Sequence, residues 1–258
     1  MAINVIVFGN VPLASWVIGE ILKSKSLNLI GVVAESCPKD QYIHHASALP
    51  PAYYYCTEFN VPILTFEDAK SFAEKNTTLG ISVRYNKIFR EDYFSQFKLG
   101  IINLHGGELP KYRGSNIANY VILNNESRIG GTLHFISSGI DEGDISIRKT
   151  KDIVSSESTA FTVFKQTIEL LKEAFKSLIK SIETEGVIPR TPQHVFISNG
   201  EEAATYRSNE LEALREISKD DLKNGTYKTK VRAFHFPGHE PAYIKVDGKK
   251  VLLVIEDK

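Results

Sequence analysis

The 258-residue sequence has only two cysteines, Cys37 and Cys56, too few for the disulfide framework of a small secreted domain. It has no uncharged apolar run of the length, about 18 residues, that a membrane-spanning helix needs. It carries no net charge, since 31 basic residues balance 31 acidic ones, so no diffuse attraction to nucleic acid or to an anionic membrane follows. The opening stretch lacks a basic leader and is broken by Asn4, Asn10, Pro12 and Glu20, so it reads as strand, turn and helix rather than a secretion signal. A cytoplasmic protein is the expectation. "FGNVPLAS" lacks the glycine spacing of a dinucleotide fingerprint and no P-loop occurs, which disfavours a nicotinamide enzyme. No metal is expected either, because no Cys, Asp or Glu falls at ligand spacing around His44, His45 or His134.

What is present has ordinary globular composition, 42% hydrophobic and 24% charged. Ile3 to Phe8, Leu27 to Ala34, Leu79 to Val83 and Leu99 to His105 are near-continuous apolar runs. Helical segments separate them, near Trp16 to Leu22, Glu67 to Lys75 and Arg90 to Phe97. That alternation predicts an α/β fold, a Rossmann-like, mostly parallel sheet covered on both faces. The stretch from Glu35 to Val61, with Pro38, Pro50, Pro51 and three consecutive tyrosines from Tyr53 to Tyr55, reads as a long functional loop. Ile129 to Ile136 and Ile145 to Val154 read as an antiparallel pair. From Ser158 to about Thr184, apolar residues at spacings of three and four predict one long core-covering helix. The pattern changes near Pro189. Residues 1–189 are expected to form the main domain, and residues 190–258 an appendage of a short helix and a β-hairpin with a type I′ turn at Asp247-Gly248. An appendage that small should pack on the main domain or on a second copy.

Chemistry concentrates in "INLHGGELPKYRGSN", Ile102 to Asn116, where a strand runs straight into a glycine-rich loop. Ligands of open parallel sheets bind beyond the carboxyl ends of strands. Side chains alternate along a strand, so Asn103 and His105 share a face. The amide can donate to a developing oxyanion, and the imidazole can accept or relay a proton near neutral pH. A second cluster, "SSGIDEGDI", holds Asp141, Glu142 and Asp144 in a turn. Such acids are commonly solvated turn formers, but a carboxylate beside the sheet edge could orient the imidazole. Arg113 reads as scaffolding, paired with an acid to shape its turn.

These residues resemble the signature of the 10-formyltetrahydrofolate-dependent formyltransferase family. The match rests on Asn103-Leu104-His105 at a strand end, on "ELPKYRG" from Glu108 to Gly114, and on the Asp141-Glu142-Gly143-Asp144 turn. Two departures are Gly107, where many relatives have serine, and Glu108, where an apolar residue is usual. The resemblance implies a formyltransferase fold and transfer of a formyl group to a neutral primary amine through a tetrahedral oxyanion. Asn103 and His105 would stabilise that oxygen, Asp141 would hold the imidazole, and no metal would be needed. It also implies that the folate lies against Tyr85, Lys87, Ile88, Phe89, Phe135, Ile136, Gly139 and Asp141, largely through backbone groups.

Within that family the tail is similar to that of sugar N-formyltransferases, in "ATYRSNELEALREIS" and "VRAFHFPGHEPAYI". The implied acceptor is a nucleotide-linked amino deoxysugar, its base against Phe236 or Tyr243 and its diphosphate against Asn10 and Lys87. The implied assembly is a homodimer through the C-terminal hairpin. Formylation of methionyl-tRNA is the enzyme alternative, disfavoured by the absence of a basic stripe. A noncatalytic folate or sugar-nucleotide binding module is the other, opposed by the presence of Asn103, His105 and Asp141.

Overall fold

The computed structural model describes residues 2–36 and 49–255. A first βαβ unit consists of β1 (Ile3–Phe8), α1 (Pro12–Lys23) and β2 (Leu27–Val33). Next come α2 (Ala52–Glu58), α3 (Phe66–Lys75), β3 (Thr78–Val83), α4 (Glu91–Phe94) and β4 (Ile101–His105). The two-residue β5 (Arg113–Gly114) and α5 (Ile117–Leu123) precede the antiparallel pair β6 (Arg128–Phe135) and β7 (Ile145–Asp152). The long α6 (Ala160–Glu185) follows. The remainder holds α7 (Gln193–Ser198), β8 (Thr205–Tyr206), α8 (Ser208–Leu214), α9 (Lys219–Asn224) and α10 (Tyr227–Ala233). The hairpin of β9 (Tyr243–Val246) and β10 (Lys249–Leu252) ends it.

Six strands form one sheet in the order β2-β1-β3-β4-β6-β7. The first four are parallel, and β6 and β7 run antiparallel to their neighbours. Both faces of the parallel part are covered, as the apolar runs predict. Val5 and Val7 face α1 and α6, in a cluster with Ile18, Phe175 and Leu178. Ile6 and Phe8 face the other way, toward Ala69, Ala73, Phe89 and Tyr93. The helix α6 starts where Thr159 accepts a hydrogen bond from the Thr162 backbone, and it stops at Gly186, held at φ 68°. No helix among the described residues is long and apolar enough to cross a membrane.

Two features of this topology position a site. After β1 the chain moves to one side to make β2, then returns past β1 to make β3, so the carboxyl ends of β1 and β3 flank a topological switch point. The carboxyl end of β4, with His105 last, stands beside β3. The chain beyond residue 190 is folded against that end of the molecule. Leu211, Ile217, Ala233, Phe234 and Ala242 share a core cluster with Tyr112, Ile117, Tyr120 and Val163.

The structure corrects several expectations. Tyr53 to Tyr55 stand on the helix α2 rather than in a loop, because Pro51 occupies the position just before the helix, where a missing N–H costs nothing. The helix expected over Arg90 to Phe97 is only the single turn α4. The appendage holds four helices before its hairpin. One of them, α9, is started by a capping box in which Ser218 and Asp221 serve each other's backbone N–H groups. Asp247 and Gly248 have φ 49° and 75°, as a type I′ turn requires. Cys37, Pro38, His44 and His45 lie outside the described residues.

Candidate active site

Asn103 and His134 are cross-strand partners on β4 and β6, and His105 faces Thr132 two residues on, so all four share one face of the sheet. Thr132 is buried and pins the glycine loop: its hydroxyl donates to the Gly107 carbonyl at 2.6 Å and accepts from the Leu109 N–H at 3.3 Å. Above this face the turn after β6 brings in Asp141 at φ 52°, a left-handed conformation that aspartate tolerates better than most residues. One carboxylate oxygen of Asp141 lies 3.2 Å from His134 Nε2. The other lies 3.4 Å from His105 Nδ1 and accepts the Gly114 N–H at 2.8 Å. The structure therefore brings together the three residues singled out in the sequence and adds a fourth, His134.

Burial alone would raise the pKa of Asp141. The His134 hydrogen bond, the charges of both imidazoles and the Gly114 N–H outweigh it and hold the carboxyl well below the usual range. His105, itself buried, is pushed down, because desolvation exceeds the attraction of Asp141. His105 Nε2 lies 2.6 Å from the Tyr112 carbonyl, so that nitrogen carries the hydrogen. His134 Nδ1 donates to the Phe135 carbonyl at 3.0 Å, while a carboxylate faces its Nε2, so both nitrogens are called on as donors. Asn103 Nδ2 is 3.2 Å from the same Nε2. An N–H on that nitrogen leaves the Asn103 amide NH2 to serve an oxygen on the open side of the site.

The acid turn is held from below by the segment after residue 190. The Gln193 side chain, buried, donates to the carbonyls of Asp141 and Gly143 at 2.7 and 2.8 Å. Arg113 donates from Nε and Nη2 to the Gln193 carbonyl oxygen, and its Nη1 reaches Glu142 at 3.3 Å. This is the turn-shaping role expected of Arg113. The strands β5 and β8 pair in parallel, Gly114 opposite Tyr206, which ties the glycine loop after β4 to the tail. Sequence reasoning missed Gln193, whose neutral amide carries no chemical signature. It weighed His134 only as a metal ligand, although the alternation Gly130, Thr132, His134 along β6 marks the same polar face.

The two departures from the family pattern have local causes. A Cβ at Gly107 would run into the Tyr112 carbonyl and come within 2.6 Å of His105 Nε2, so glycine here permits the hydrogen bond that holds His105. Glu108 is buried and takes both arms of the Arg128 guanidinium, from Nε at 3.0 Å and from Nη2. Arg128→Ala would strand that carboxylate. A loss of about 2–3 kcal/mol is expected, less than for a fully buried pair because Arg128 is half-exposed. The double variant Glu108→Leu/Arg128→Met should recover most of it, as read from urea unfolding midpoints.

The other expected site residues are dispersed. Phe89 and Phe135 spend their side chains in core clusters, and Arg190 covers the Phe135 ring at 4.2 Å. Ile136 donates its N–H to Ile101, and Gly139 lies in the turn before Asp141. Tyr85 is half-buried, with a hydroxyl that is buried and has no hydrogen-bond partner, and Ile88 is 87% exposed. Lys87 pairs with Glu35 at 2.8 Å. Asn10 donates to the Glu35 carbonyl and accepts from the Tyr53 N–H, so its amide links the end of β2 to α2. Phe236 packs edge-on against Phe161 and Phe164 at the start of α6. Tyr243 has different neighbours: its hydroxyl meets Glu216 at 3.4 Å, and Lys250 covers its ring. Asn10 and Lys87 thus share Glu35, while Phe236 and Tyr243, the alternatives for the base, have separate neighbours.

Comparison with known proteins agrees with this layout. The chain is 30% identical over 186 residues to the methionyl-tRNA formyltransferase of Ruminiclostridium cellulolyticum, a match covering 70% of this chain and 59% of that protein. It spans about half to three-fifths of the length of the curated relatives it matches. Among solved structures, a 4-N formyltransferase from Francisella tularensis superimposes with a TM-score of 0.76 at 19% identity, covering 99% of this chain and 98% of that one. The N-formyltransferase of Helicobacter canadensis, in complex with folinic acid and dTDP-3-aminofucose, gives 0.74 at 21% identity, over 98% and 87% of the two chains. Since the formyl transferase family model also matches residues 2–179, the chain belongs to that family.

Proposed function

We propose that this protein transfers the formyl group of 10-formyltetrahydrofolate to the primary amine of a nucleotide-linked amino deoxysugar, in cell-surface polysaccharide biosynthesis. The observation that carries the reading is the docking of the tail on the glycine loop after β4. Gln193 and the β5–β8 pairing support the Asp141 turn from a segment that lies beyond the family-model match, and the sugar N-formyltransferase structures cover nearly the whole chain, this segment included.

The residues suit a folate. The buried, unpartnered hydroxyl of Tyr85 leaves a hydrogen-bonding group for the polar edge of a ring, and Ile88 and Ile140 are exposed apolar side chains that its flat face would cover. The bound donor supplies an electrophilic carbonyl carbon. Asn103 Nδ2 donates to the oxygen on which charge builds, a contribution of about 3–4 kcal/mol for a well-placed donor. His134 lies beside the amide and shares the Asp141 carboxylate. Asp141 stabilises a proton arriving at His105 Nδ1. For Nε2 to take the proton that the attacking amine sheds, its own hydrogen must first pass to Nδ1, facing Asp141, and the freed lone pair must exchange the Tyr112 carbonyl for the amine; the proton taken then goes to the departing folate nitrogen. Work in the cytoplasm as a homodimer is part of the proposal. Val246, Val251 and Leu252 on the hairpin, and Val254 just beyond it, are exposed apolar side chains that a second copy would cover.

The test is incubation with 10-formyltetrahydrofolate and a panel of dTDP-, GDP- and UDP-linked 3-amino and 4-amino sugars, with methionyl-tRNA as competitor. A mass gain of one formyl for one hydrogen on a sugar, undiminished by the tRNA, is expected. Transfer to methionyl-tRNA alone would establish the second reading, which the 30% identity over 186 residues favours. No transfer to any amine would overturn both.

A further inference from the structure

The switch point between β1 and β3 holds a cation that no described carboxylate balances. Arg84 directly follows β3, is exposed, and stands at φ 51°, a left-handed conformation that residues other than glycine adopt rarely. Its guanidinium lies 5.1 Å from the centre of the Phe164 ring. One residue further along α6, Lys165 lies 4.6 Å from the Phe161 ring, also without a carboxylate among the described residues. By contrast, Lys87, Arg113 and Arg190 are each paired with an acid. Both phenylalanines meet Phe236, at 5.3 and 5.2 Å, so the two cations rest on a half-buried aromatic floor.

We propose that Arg84 and Lys165 form an anion clamp for the diphosphate of a nucleoside diphosphate, with the Phe161–Phe164–Phe236 floor beneath it. The planar fork of Arg84 suits two phosphate oxygens at once, and the aromatic floor suits the attached nucleoside. The clamp deepens the proposed function and rests on it. It replaces Lys87 and Asn10 as the diphosphate partners, since the structure already engages those two side chains with the Glu35 side chain and with backbone groups.

The experiment is calorimetric titration of the full chain with dTDP, GDP, UDP and inorganic pyrophosphate at two salt concentrations, for wild type, Arg84→Gln, Arg84→Lys and Lys165→Gln. Wild type should bind at least one nucleoside diphosphate, more weakly at higher salt. Arg84→Gln should bind it about 10- to 100-fold more weakly, with Arg84→Lys between the two and Lys165→Gln losing less. Thermal melting confirms that each variant is folded, and the salt dependence of wild type reads the clamp without any substitution. Equal affinity in wild type and Arg84→Gln, or binding of none of the four probes by wild type, would overturn the clamp. Arg84-dependent binding without formyl transfer to any amino sugar would uphold the clamp and sink the substrate reading instead.

Discussion

Asp141→Asn is expected to lower kcat for formyl transfer about 1000-fold while changing KM only a few-fold. Asparagine has the size of aspartate, and its carbonyl can still accept the Gly114 N–H that Asp141 accepts at 2.8 Å. The turn is also held by Gln193 through the backbone carbonyls of residues 141 and 143, which the substitution leaves alone. What disappears is the negative charge between two imidazoles, 3.2 Å from one and 3.4 Å from the other. Without it, nothing favours a proton on His105 at the moment the amine must release one, and His134 loses the acceptor that orients it against Asn103. A kcat within about tenfold of wild type would remove Asp141 from the mechanism.

The same substitution changes the acid limb of stability. Asp141 is depressed below its unfolded value of about 3.9, so its contribution is present above that pH and is lost as pH falls further. His105 is also depressed, so its neutral, buried form favours the fold above about pH 6.5 and does so less as pH falls. Wild type should therefore melt at progressively lower temperature on acidification from neutrality, and Asp141→Asn should lack the part that sets in near pH 4.

The parallel sheet was readable because its strands are apolar without interruption, a pattern that only burial on both faces rewards. The helix α6 was readable for a related reason: twenty-six residues of one helix repeat their apolar stripe often enough to override local ambiguity. Short elements have no such repetition. The seven residues of α2 follow two prolines, which read locally as a break and act structurally as a start. In the site, Asn103 and His105 follow from alternation along a single strand. His134 depends on the register of β4 against β6, a relation between segments about thirty residues apart that no local pattern encodes. Gln193 is more distant still, and its effect is exerted on backbone carbonyls, so no side-chain motif announces it.

Gly114→Ala tests the dependence of the site on the tail, and it should be the most damaging single methyl in the glycine loop after β4. Gly114 has φ 95°, and a Cβ there would collide with the Tyr206 carbonyl, with the Tyr206 backbone nitrogen only 3.1 Å away. The obstructing atoms are backbone, so no side-chain rotation relieves the clash. Either β5 and β8 separate, or the Gly114 N–H swings away from Asp141. Separation also disturbs Tyr206, which stacks on Tyr112 at 5.0 Å and bonds to Asn124. Strain and overpacking together imply a loss of about 3–5 kcal/mol, or a fall in melting temperature of about 10 °C for a chain of this size. Gly186→Ala is the control, since Gly186 also has positive φ, at 68°, but nothing lies within 4 Å of its Cβ position. That variant should lose only about 1 kcal/mol, the conformational part alone. If the two variants melt together, the tail does not press on the loop at Gly114, and the support it lends to Asp141 is not needed for the fold. If Gly114→Ala falls much further and its residual folded fraction is catalytically weak, then the tail and the carboxylate act as one unit, and the sheet edge alone does not make the site.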